Sequence, residues 1–501
     1  MIPSTAADVP GGFQAHTDVC IVGSGSGGGV AAWTLAMGGR NVLVLEEGPH
    51  VPASRMTQRE EDMYPLLYRD GGNQATHDGG IQVLQGRAVG GSTVINMADV
   101  VPTPRPILEH WRTHYGLDRF SVDEVDQASA LCMERIGANP IRPEDLNRNN
   151  ALLLEGAAKL GLSGGRFVHN RVGCVGSGYC MVGCAYDAKR SVALTFLPEA
   201  TATGRARVQA DATVTALEVR NGRVAAVTGH LTGNPAATFR VEANHFVLAC
   251  GAIHTPLLLL QAGLGGRRVG RNLSLQPQTP VAALFDEDVV PWRGVPQAAF
   301  VDHFDIEDPA EGLGGYRLEG VTGTPGMSAA STALYGEKLF KFMQSFKQST
   351  ACLCLVPDRP TGRVRRQRDG RPRIDYTLTA PVERTLREAA RTAAKVYLAA
   401  GARAVLLPFP DVPAITRVED LDVLEHRRFR SARSPLISAH PQGTCRMGPD
   451  PRHAVVDLEG RLHDMPNVSV LDASIFPTSA STHTMLPVMA FAHLGAQALL
   501  A

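Results

Sequence analysis

A glycine-rich segment near the N-terminus constrains the fold more than any other part of the chain: DVCIVGSGSGGGVAAWTLAMGGRNVLVLEEG. Its hydrophobic pattern predicts a buried strand over residues 19–22, a glycine turn, a helix over about residues 27–37 and a second strand over residues 41–45. A strand, a helix and a strand in this order form the first unit of a doubly wound sheet with parallel strands. We therefore expect an α/β fold.

The turn in this segment carries Gly23, Gly25 and Gly28 in the spacing G-x-G-x-x-G, and Glu46 ends the second strand. Glycines there allow a tight turn and let backbone N–H groups at the helix start approach a pyrophosphate. The carboxylate can accept hydrogen bonds from a ribose. The glycine spacing alone is a weak signal, and an ordinary glycine-rich turn is the alternative. Its place between a strand and a helix, followed by the acidic residue, predicts a dinucleotide site.

A second loop of small residues lies in QGRAVGGSTVINM, residues 85–97. Gly90, Gly91, Ser92 and Thr93 follow one another in it. Such a loop can run flat against a planar ligand and present several backbone donors to it. The alternative is a plain surface loop.

Strand and helix signals further along predict a second domain interleaved with the first. FVLACGAIHTPLLLLQAG predicts a strand to Ala249 and a helix from about Pro256, a unit that returns the chain to the first sheet. Residues 270–430 instead alternate like antiparallel strands, with RDGR (residues 368–371) as a hairpin turn.

Two amphipathic helices are predicted within this β-rich region. GEKLFKFMQSFKQ places Leu339, Phe342 and Phe346 on one helix face. A longer helix over residues 381–401 ends at a glycine.

The C-terminal part of the chain sets two histidines in turn-rich sequence. His440 lies in ISAHPQGTCRMG, and His483 lies in DASIFPTSASTHTM, just before a predicted terminal helix. Asp472 follows the strand predicted to end at Leu471, where an acidic or backbone contact to a ligand is expected. Because a helix N-terminus disfavours the imidazolium form, we expect His483 to be neutral.

Composition narrows the class of protein. Lys and Arg together number 49, as do Asp and Glu, so charge gives no reason to expect nucleic acid or an anionic membrane as a partner. The N-terminus lacks the regions of a signal peptide, and His254 and Pro256 interrupt the most apolar stretch. Nine cysteines without regular spacing suit a reducing compartment. We expect a soluble, cytoplasmic protein without a membrane span.

Four separated motifs resemble those of the glucose-methanol-choline (GMC) family of flavoprotein oxidoreductases. They are the first glycine motif with Glu46, GRAVGGSTVINM, GAIHTPLLLLQAGLG, and the C-terminal pair HPQGTC and DASIFPTSASTHTM. The resemblance covers nearly the whole chain and implies an FAD/NAD(P)-binding doubly wound domain interleaved with an antiparallel-sheet substrate domain. The expected boundaries are 1–110, 165–270 and 431–501 for the FAD-binding domain, and 111–164 and 271–430 for the substrate domain.

The resemblance also implies a cofactor and its site. FAD is expected with its ring near residues 90–96, bound non-covalently because GGSTVINM lacks the histidine through which some relatives attach it. The implied FAD contacts are Gly23, Gly25, Gly28, Glu46, Arg87, Gly90, Gly91, Ser92, Asn96, Val214, Asp472, Ala473, Thr484 and Met485. His440 matches the family's active-site histidine, and His483 matches its second catalytic position.

The reaction that the resemblance implies is oxidation of a small-molecule alcohol. His440 would act as the base for the hydroxyl proton, and His483 would orient the alkoxide. Hydride would pass to flavin N5, and the electrons would leave to oxygen or another acceptor.

Several alternatives stay open. The same fold could serve as a flavin-containing lyase or as a non-redox flavoprotein. Cys174, Cys180 and Cys184, counted with Ser177, fall one cysteine short of an iron–sulfur run, so we expect no metal and small buried cysteines in a loop near the flavin. The apolar residues of VPWRGVPQAAF and LFKFMQSF either line a cavity for a lipophilic alcohol or form the core of the substrate domain. His169 shows no spacing typical of a metal ligand.

Overall fold

The computed structural model describes residues 3–308, 313–321 and 323–501. The strands in these residues are β1 (Phe13–Val22), β2 (Val42–Leu45), β3 (Gln82–Val83), β4 (Asn139–Pro140), β5 (Gly164–Arg166), β6 (Val168–His169), β7 (Ala206–Gln209), β8 (Ala212–Arg220), β9 (Arg223–Leu231), β10 (Asn234–Leu248), β11 (Arg271–Leu273), β12 (Gln278–Leu284), β13 (Ala299–Asp308), β14 (Leu313–Val321), β15 (Ser349–Leu355), β16 (Gly362–Arg366), β17 (Pro372–Asp375), β18 (Ala404–Leu406), β19 (Ile437–Ser438), β20 (Arg461–Leu462) and β21 (Met465–Val470). The α-helices are α1 (Ser26–Met37), α2 (Glu60–Leu67), α3 (Arg105–Tyr115), α4 (Val122–Arg135), α5 (Arg148–Lys159), α6 (Phe196–Ala202), α7 (Gly251–Ala262), α8 (Pro325–Ser331), α9 (Gly336–Gln344), α10 (Ala380–Ala400) and α11 (Met485–Ala498).

The first sheet contains β21, β10, β1, β2 and β7 side by side and parallel. β20 lies antiparallel to β21 at one edge, and β8 and β9 form an antiparallel ribbon on β10. Because successive strand residues point to opposite faces, Val19 and Ile21 pack with α1, α6 and α11, whereas Cys20 and Val22 pack with β8, β9 and α7. The predicted doubly wound α/β domain is confirmed.

Two elements of this domain begin elsewhere than the sequence pattern predicts. β1 begins at Phe13, because residues 13–17 pair with β10 ahead of the apolar run. α7 begins at Gly251, so the predicted start at Pro256 is wrong. A proline inside a helix leaves the carbonyl four residues earlier without its N–H partner. Here the Ala252 carbonyl accepts a hydrogen bond from the Thr444 hydroxyl instead (2.6 Å), so the helix tolerates the proline.

The second sheet has the order β3, β19, β12, β15, β14, β13 and β5, and β18 also pairs with β12. Within the described residues all of these pairs are antiparallel except that of β3 with β19. α5 and α10 pack on this sheet and share one hydrophobic core with β12, β14 and β15. The antiparallel character predicted for the middle of the chain is confirmed.

The predicted hairpin and helices of the middle region are also present. β16 and β17 pair on either side of residues 368–371, where Gly370 has a φ of +86°. Phe342 in α9 and Phe346 just beyond its end are both buried. α10 ends where Gly401 takes a φ of +102°. Of the helices in the described part of the chain, none is both long and apolar enough to cross a bilayer.

The two domains share chain segments more closely than the expected boundaries allow. The sequence places residues 111–164 in the substrate domain, yet Trp111, Val122 and Val125 belong to the core of the first sheet. Conversely, β3 and β19 come from FAD-domain segments and lie in the second sheet. We propose that the first domain extends through α4 and contributes two short strands to the second.

Candidate active site

The first glycine turn presents backbone rather than side chains at the N-terminus of α1. Gly23 has a φ of +99°, and a β-carbon at Gly28 would overlap the carbonyl oxygen of Gly23. At Gly25 a β-carbon would find only the Cα of Gly91 nearby, at 3.9 Å. This open space between two glycine loops suits a ligand whose phosphates meet the helix N-terminus.

Glu46 lies directly after β2, at the edge of the sheet beside this turn, and is buried. One carboxylate oxygen accepts hydrogen bonds from the backbone N–H and the hydroxyl of Ser24 (3.0 and 2.6 Å), and the other accepts from the N–H of Gly48 (2.9 Å). Burial raises the pKa of Glu46, and these hydrogen bonds oppose the shift. The Ser24 hydroxyl also accepts from the N–H of Gly90 (3.0 Å) and so joins the two glycine loops. This role of Ser24 was not predicted from the sequence.

The second glycine loop is held by its own side chains. Ser92 accepts a hydrogen bond from the N–H of Gly86 (2.9 Å), and the Asn96 amide donates to the sulfur of Met485 (3.0 Å). The amide oxygen of Asn96 is buried, and no partner for it lies within the described part of the chain. A polar acceptor is therefore left for a bound group.

Two other expected FAD contacts lie near Glu46. Arg87 pairs with Glu47, with 3.1 Å between Nε and the carboxylate. Val214 belongs to β8, whose first residue, Ala212, donates its N–H to the carbonyl of Glu46 (2.8 Å). The strand assigned to the adenine therefore begins beside the residue assigned to the ribose.

The Asp472 carboxylate accepts three hydrogen bonds from within the protein. It accepts hydrogen bonds from the N–H of Gly251 (2.9 Å), the hydroxyl of Thr255 (2.5 Å) and the N–H of Ser474 (2.8 Å). It thereby caps the start of α7.

His440 and His483 lie side by side, with ring centroids 5.2 Å apart. β19 ends just before His440, and α11 begins just after His483. The two histidines that the family resemblance pairs therefore meet in space.

His440 is buried, and that burial, together with the positive charge of His483, lowers its pKa to about 3 against the opposing effect of Glu319. Its Nδ1 lies 3.4 Å from the side-chain amide of Gln278. Nε2 has no hydrogen bond among the described residues, and the ring borders a cavity. His440 is thus neutral near pH 7 and has a nitrogen available for a ligand.

The pKa of His483 is shifted in the opposite direction. Burial disfavours its charged form, but the Glu319 carboxylate, 3.0 Å from Nε2, and Asp99, 3.7 Å from Nδ1, outweigh burial and raise the pKa of His483. The expectation of a neutral His483 is wrong, because two carboxylates in direct range act more strongly than one helix N-terminus.

Several polar side chains around the pair were missed in the sequence. They are Asp99, His169, Gln278, Gln297 and Glu319. No motif connects these positions, and only the acidic residue inside the apolar strand sequence YRLEGV could have pointed to Glu319.

A cavity of about 250 Å³ extends from the histidine pair to the substrate domain. Phe342 and Phe346 line it, whereas Trp292 stacks on Phe346 with centroids 5.5 Å apart and does not line it. The apolar middle region therefore serves both the cavity and the core. The expected cofactor contacts along its wall are Ser92, Asn96, Thr484 and Met485.

The cysteine-rich loop lies beside the same cavity. Cys180 is buried, but Cys174 is exposed and Cys184 half-buried, so the expectation of buried cysteines is wrong for Cys174. Lys189 ties this loop to the second glycine loop by donating to the carbonyls of Asn96 (2.7 Å) and Cys180 (2.6 Å). Among the side chains described, no His, Cys, Asp or Glu cluster is arranged to hold a metal ion.

Comparison with known proteins decides the family. Residues 64–278 and 358–492 match the N-terminal and C-terminal profiles of GMC oxidoreductases, and residues 21–90 match an NAD(P)-binding Rossmann-like domain. An uncharacterised GMC-type oxidoreductase of Mycobacterium tuberculosis is 35% identical over 491 residues, which cover 97% of this chain and 76% of that protein. The chain belongs to the GMC oxidoreductase family. As such it is a flavin-dependent oxidoreductase whose cofactor is FAD.

Other relatives and solved structures support the same fold. A long-chain-alcohol oxidase of Arabidopsis thaliana is 29% identical, covering 96% of this chain and 68% of its own length. The crystal structure of pyridoxine 4-oxidase from Mesorbium loti superposes with a TM-score of 0.72 at 20% identity, covering 96% of this chain and 99% of that one. A formate oxidase from Aspergillus oryzae RIB40 gives 0.68 at 15% identity, covering 96% and 98%.

The residues of the site fit FAD. The space beside Gly25, the Glu46 carboxylate at the sheet edge and the unpaired amide oxygen of Asn96 are what a pyrophosphate, a ribose and a flavin ring require.

Proposed function

We propose that this GMC protein oxidises an alcohol to a carbonyl compound, with His440 as the general base. The observation that carries the proposal is the adjacent pair of buried histidines, with pKa values shifted in opposite directions, on the wall of a mostly apolar cavity. An alcohol donates hydride readily only once its O–H proton is leaving, and a neutral imidazole can accept that proton.

The tautomer of His440 follows from this role. For Nε2 to accept the hydroxyl proton, Nδ1 has to carry the ring hydrogen and donate it. Gln278, 3.4 Å from Nδ1, then presents its carbonyl oxygen to the ring. In the structure the amide nitrogen of Gln278 faces Nδ1, so this tautomer requires a half-turn of the side chain that exchanges its amide oxygen and nitrogen.

His483 complements the base. Its positive charge stabilises the negative charge that grows on the substrate oxygen as the proton moves to His440. That negative charge also favours protonation of His440, which offsets the effect of burial on its pKa. FAD, when bound, supplies the hydride acceptor and passes the electrons to oxygen or another acceptor.

We propose a lipophilic alcohol as the substrate. Phe342, Phe346 and Leu353 are among the side chains that line the cavity, and its wall is mostly apolar. The Arabidopsis relatives named as long-chain-alcohol oxidases act on such compounds.

Anaerobic mixing of the holoenzyme with alcohols of different length tests this function. The flavin absorbance should bleach with at least one alcohol, because hydride transfer reduces it. Bleaching with none would contradict the proposal and favour a lyase or a non-redox protein.

The base is tested by His440→Ala. This variant should keep FAD but lose flavin reduction by about 10²- to 10⁴-fold, the usual contribution of a general base. The control is His77→Ala, which removes an exposed histidine and should behave as the parent. Full turnover in His440→Ala, or loss of its FAD, would show that the assignment is wrong.

A further inference from the structure

A closed group of buried polar side chains surrounds His483. Glu319 on β14 lies 3.0 Å from Nε2, and Asp99, which follows the second glycine loop, lies 3.7 Å from Nδ1. The imidazole is therefore flanked by a carboxylate at each ring nitrogen. Both acids are almost fully buried.

Asp99 is held from its other side by His169. The Nε2 of His169 lies 2.8 Å from one oxygen of Asp99 and 2.7 Å from the carbonyl of Gln297. Because both neighbours are acceptors, Nε2 carries a hydrogen and donates it. The side-chain amide of Gln297 in turn donates to Glu319 (2.5 Å). Gln297 thereby links His169 and Asp99 to Glu319 on the other side of His483.

The two carboxylates contact His483 differently. Glu319 is at hydrogen-bond distance, so it occupies Nε2. At 3.7 Å, Asp99 attracts the imidazolium charge without occupying Nδ1. Asp99 and His483 both border the cavity, so the Nδ1 hydrogen remains available to a substrate oxygen.

We propose that Asp99, held by His169, is a positioning residue that keeps His483 charged and keeps its Nδ1–H directed at the substrate oxygen. This inference rests on the proposed alcohol oxidation. Within the described residues, the charged and titratable groups facing His483 are Glu319, Asp99, His440 and Arg317, and Arg317 is itself paired with Asp305. The raised pKa of His483 agrees with this arrangement.

The competing view is that Asp99 and His169 only fasten the loop to β6, where they also form a β-bridge. A purely structural role would alter FAD content or thermal stability. It would leave the pH at which His483 loses its proton unchanged.

The test is Asp99→Asn, which keeps the shape and removes the charge. The pH dependence of anaerobic flavin reduction should keep its form, but its alkaline limb should move to lower pH by about one unit or more, since an opposite charge at this range shifts a pKa by that amount. His483 then loses its proton at a lower pH. Asp99→Glu, which keeps the charge, should show little of this shift, and Asp302→Asn, which removes a carboxylate bonded to Ser163, should show none.

A second readout does not depend on turnover. The flavin absorbance of the substrate-free holoenzyme, titrated with base, reports ionisation beside the ring and should shift in the same direction in Asp99→Asn. His169→Gln, which keeps a donor but loosens Asp99, should give a smaller shift of the same sign.

The outcomes separate the two proposals. Unchanged titrations in Asp99→Asn with FAD bound would overturn the role of Asp99, and so would an unchanged titration in His169→Gln if Asp99→Asn fails to fold. If no alcohol reduces the parent enzyme but the titration still shifts, the proposed oxidation fails while the placement of Asp99 stands.

Discussion

Two histidines with adjacent rings have pKa values shifted in opposite directions because their neighbours differ. Among the described residues, Nδ1 of His440 has only the Gln278 amide as a partner, so burial dominates and lowers the pKa of His440 to about 3. His483 has Glu319 and Asp99 within range, so their negative charges dominate and raise its pKa. Environments that push two pKa values apart are a common way to assign a base and a charge-stabilising partner within one site.

The buried neutral state of His440 has a consequence for stability. Below the unfolded-state pKa of about 6.5 the unfolded chain takes up a proton that folded His440 refuses until about pH 3, so the free energy of unfolding falls as pH falls. Between pH 7 and pH 5, His440 alone lowers the free energy of unfolding by about 2 kcal/mol.

From pH 7 to pH 5, the free energy of unfolding of His440→Asn should therefore fall by about 2 kcal/mol less than that of the parent. Urea unfolding at pH 7 and pH 5, both with saturating FAD, measures the difference. His77→Asn serves as the exposed control. Parallel losses in the parent and in His440→Asn would mean that His440 is charged in the folded protein.

At the scale of single elements, two glycines in the turn before α1 have different roles. Gly28 lets the turn close against Gly23, whereas Gly25 leaves space next to the helix N-terminus. Replacing each by alanine should separate folding from cofactor binding.

Gly28→Ala should destabilise the apoprotein by about 3 kcal/mol, because the new methyl group overlaps backbone. Gly25→Ala should change stability by less than about 0.5 kcal/mol, since no atom blocks the methyl group, yet weaken FAD binding about tenfold or more. Thermal unfolding of the apoproteins and titration with FAD test both. Normal FAD affinity in Gly25→Ala would place the pyrophosphate elsewhere.

Elements with local signals could be predicted from sequence. The first strand, turn and helix, the hairpin at residues 368–371 and the helix α10 all follow from periodicity and glycine placement. The start of α7 could not, since the Thr444 hydroxyl that compensates for Pro256 comes from a distant segment. The direction of the pKa shift of His483 could not be predicted either, because it depends on Glu319 and Asp99, which are distant in sequence.

At the scale of the whole molecule, the site is assembled from segments spread over the chain. His169 lies in β6 and Glu319 in β14, whereas Asp99, His440 and His483 lie in three separate loops. The family motifs single out the two histidines proposed to be catalytic, but the network around them exists only after both sheets have formed. Sequence alone therefore predicts the reacting groups better than the residues that tune them.

The cavity between the two domains predicts a dependence on substrate length. Each methylene buried in it contributes about 0.8 kcal/mol, so kcat/KM should rise about fourfold per carbon along a series of primary alcohols until the part of the cavity not occupied by the flavin is full. Steady-state kinetics over the series measure this. Phe342→Ser should reduce the gain for long alcohols and spare short ones. A flat series would contradict a lipophilic substrate.

The short strand β19 has a consequence for how the protein is made. It inserts between β3 and β12, and β21 likewise joins the first sheet late in the chain. At about 5–20 residues per second, a ribosome needs tens of seconds to reach these strands. During synthesis one edge of β10 and one edge of β12 therefore keep unpaired backbone N–H and C=O groups. We expect the nascent chain to bind chaperones until its last segments emerge.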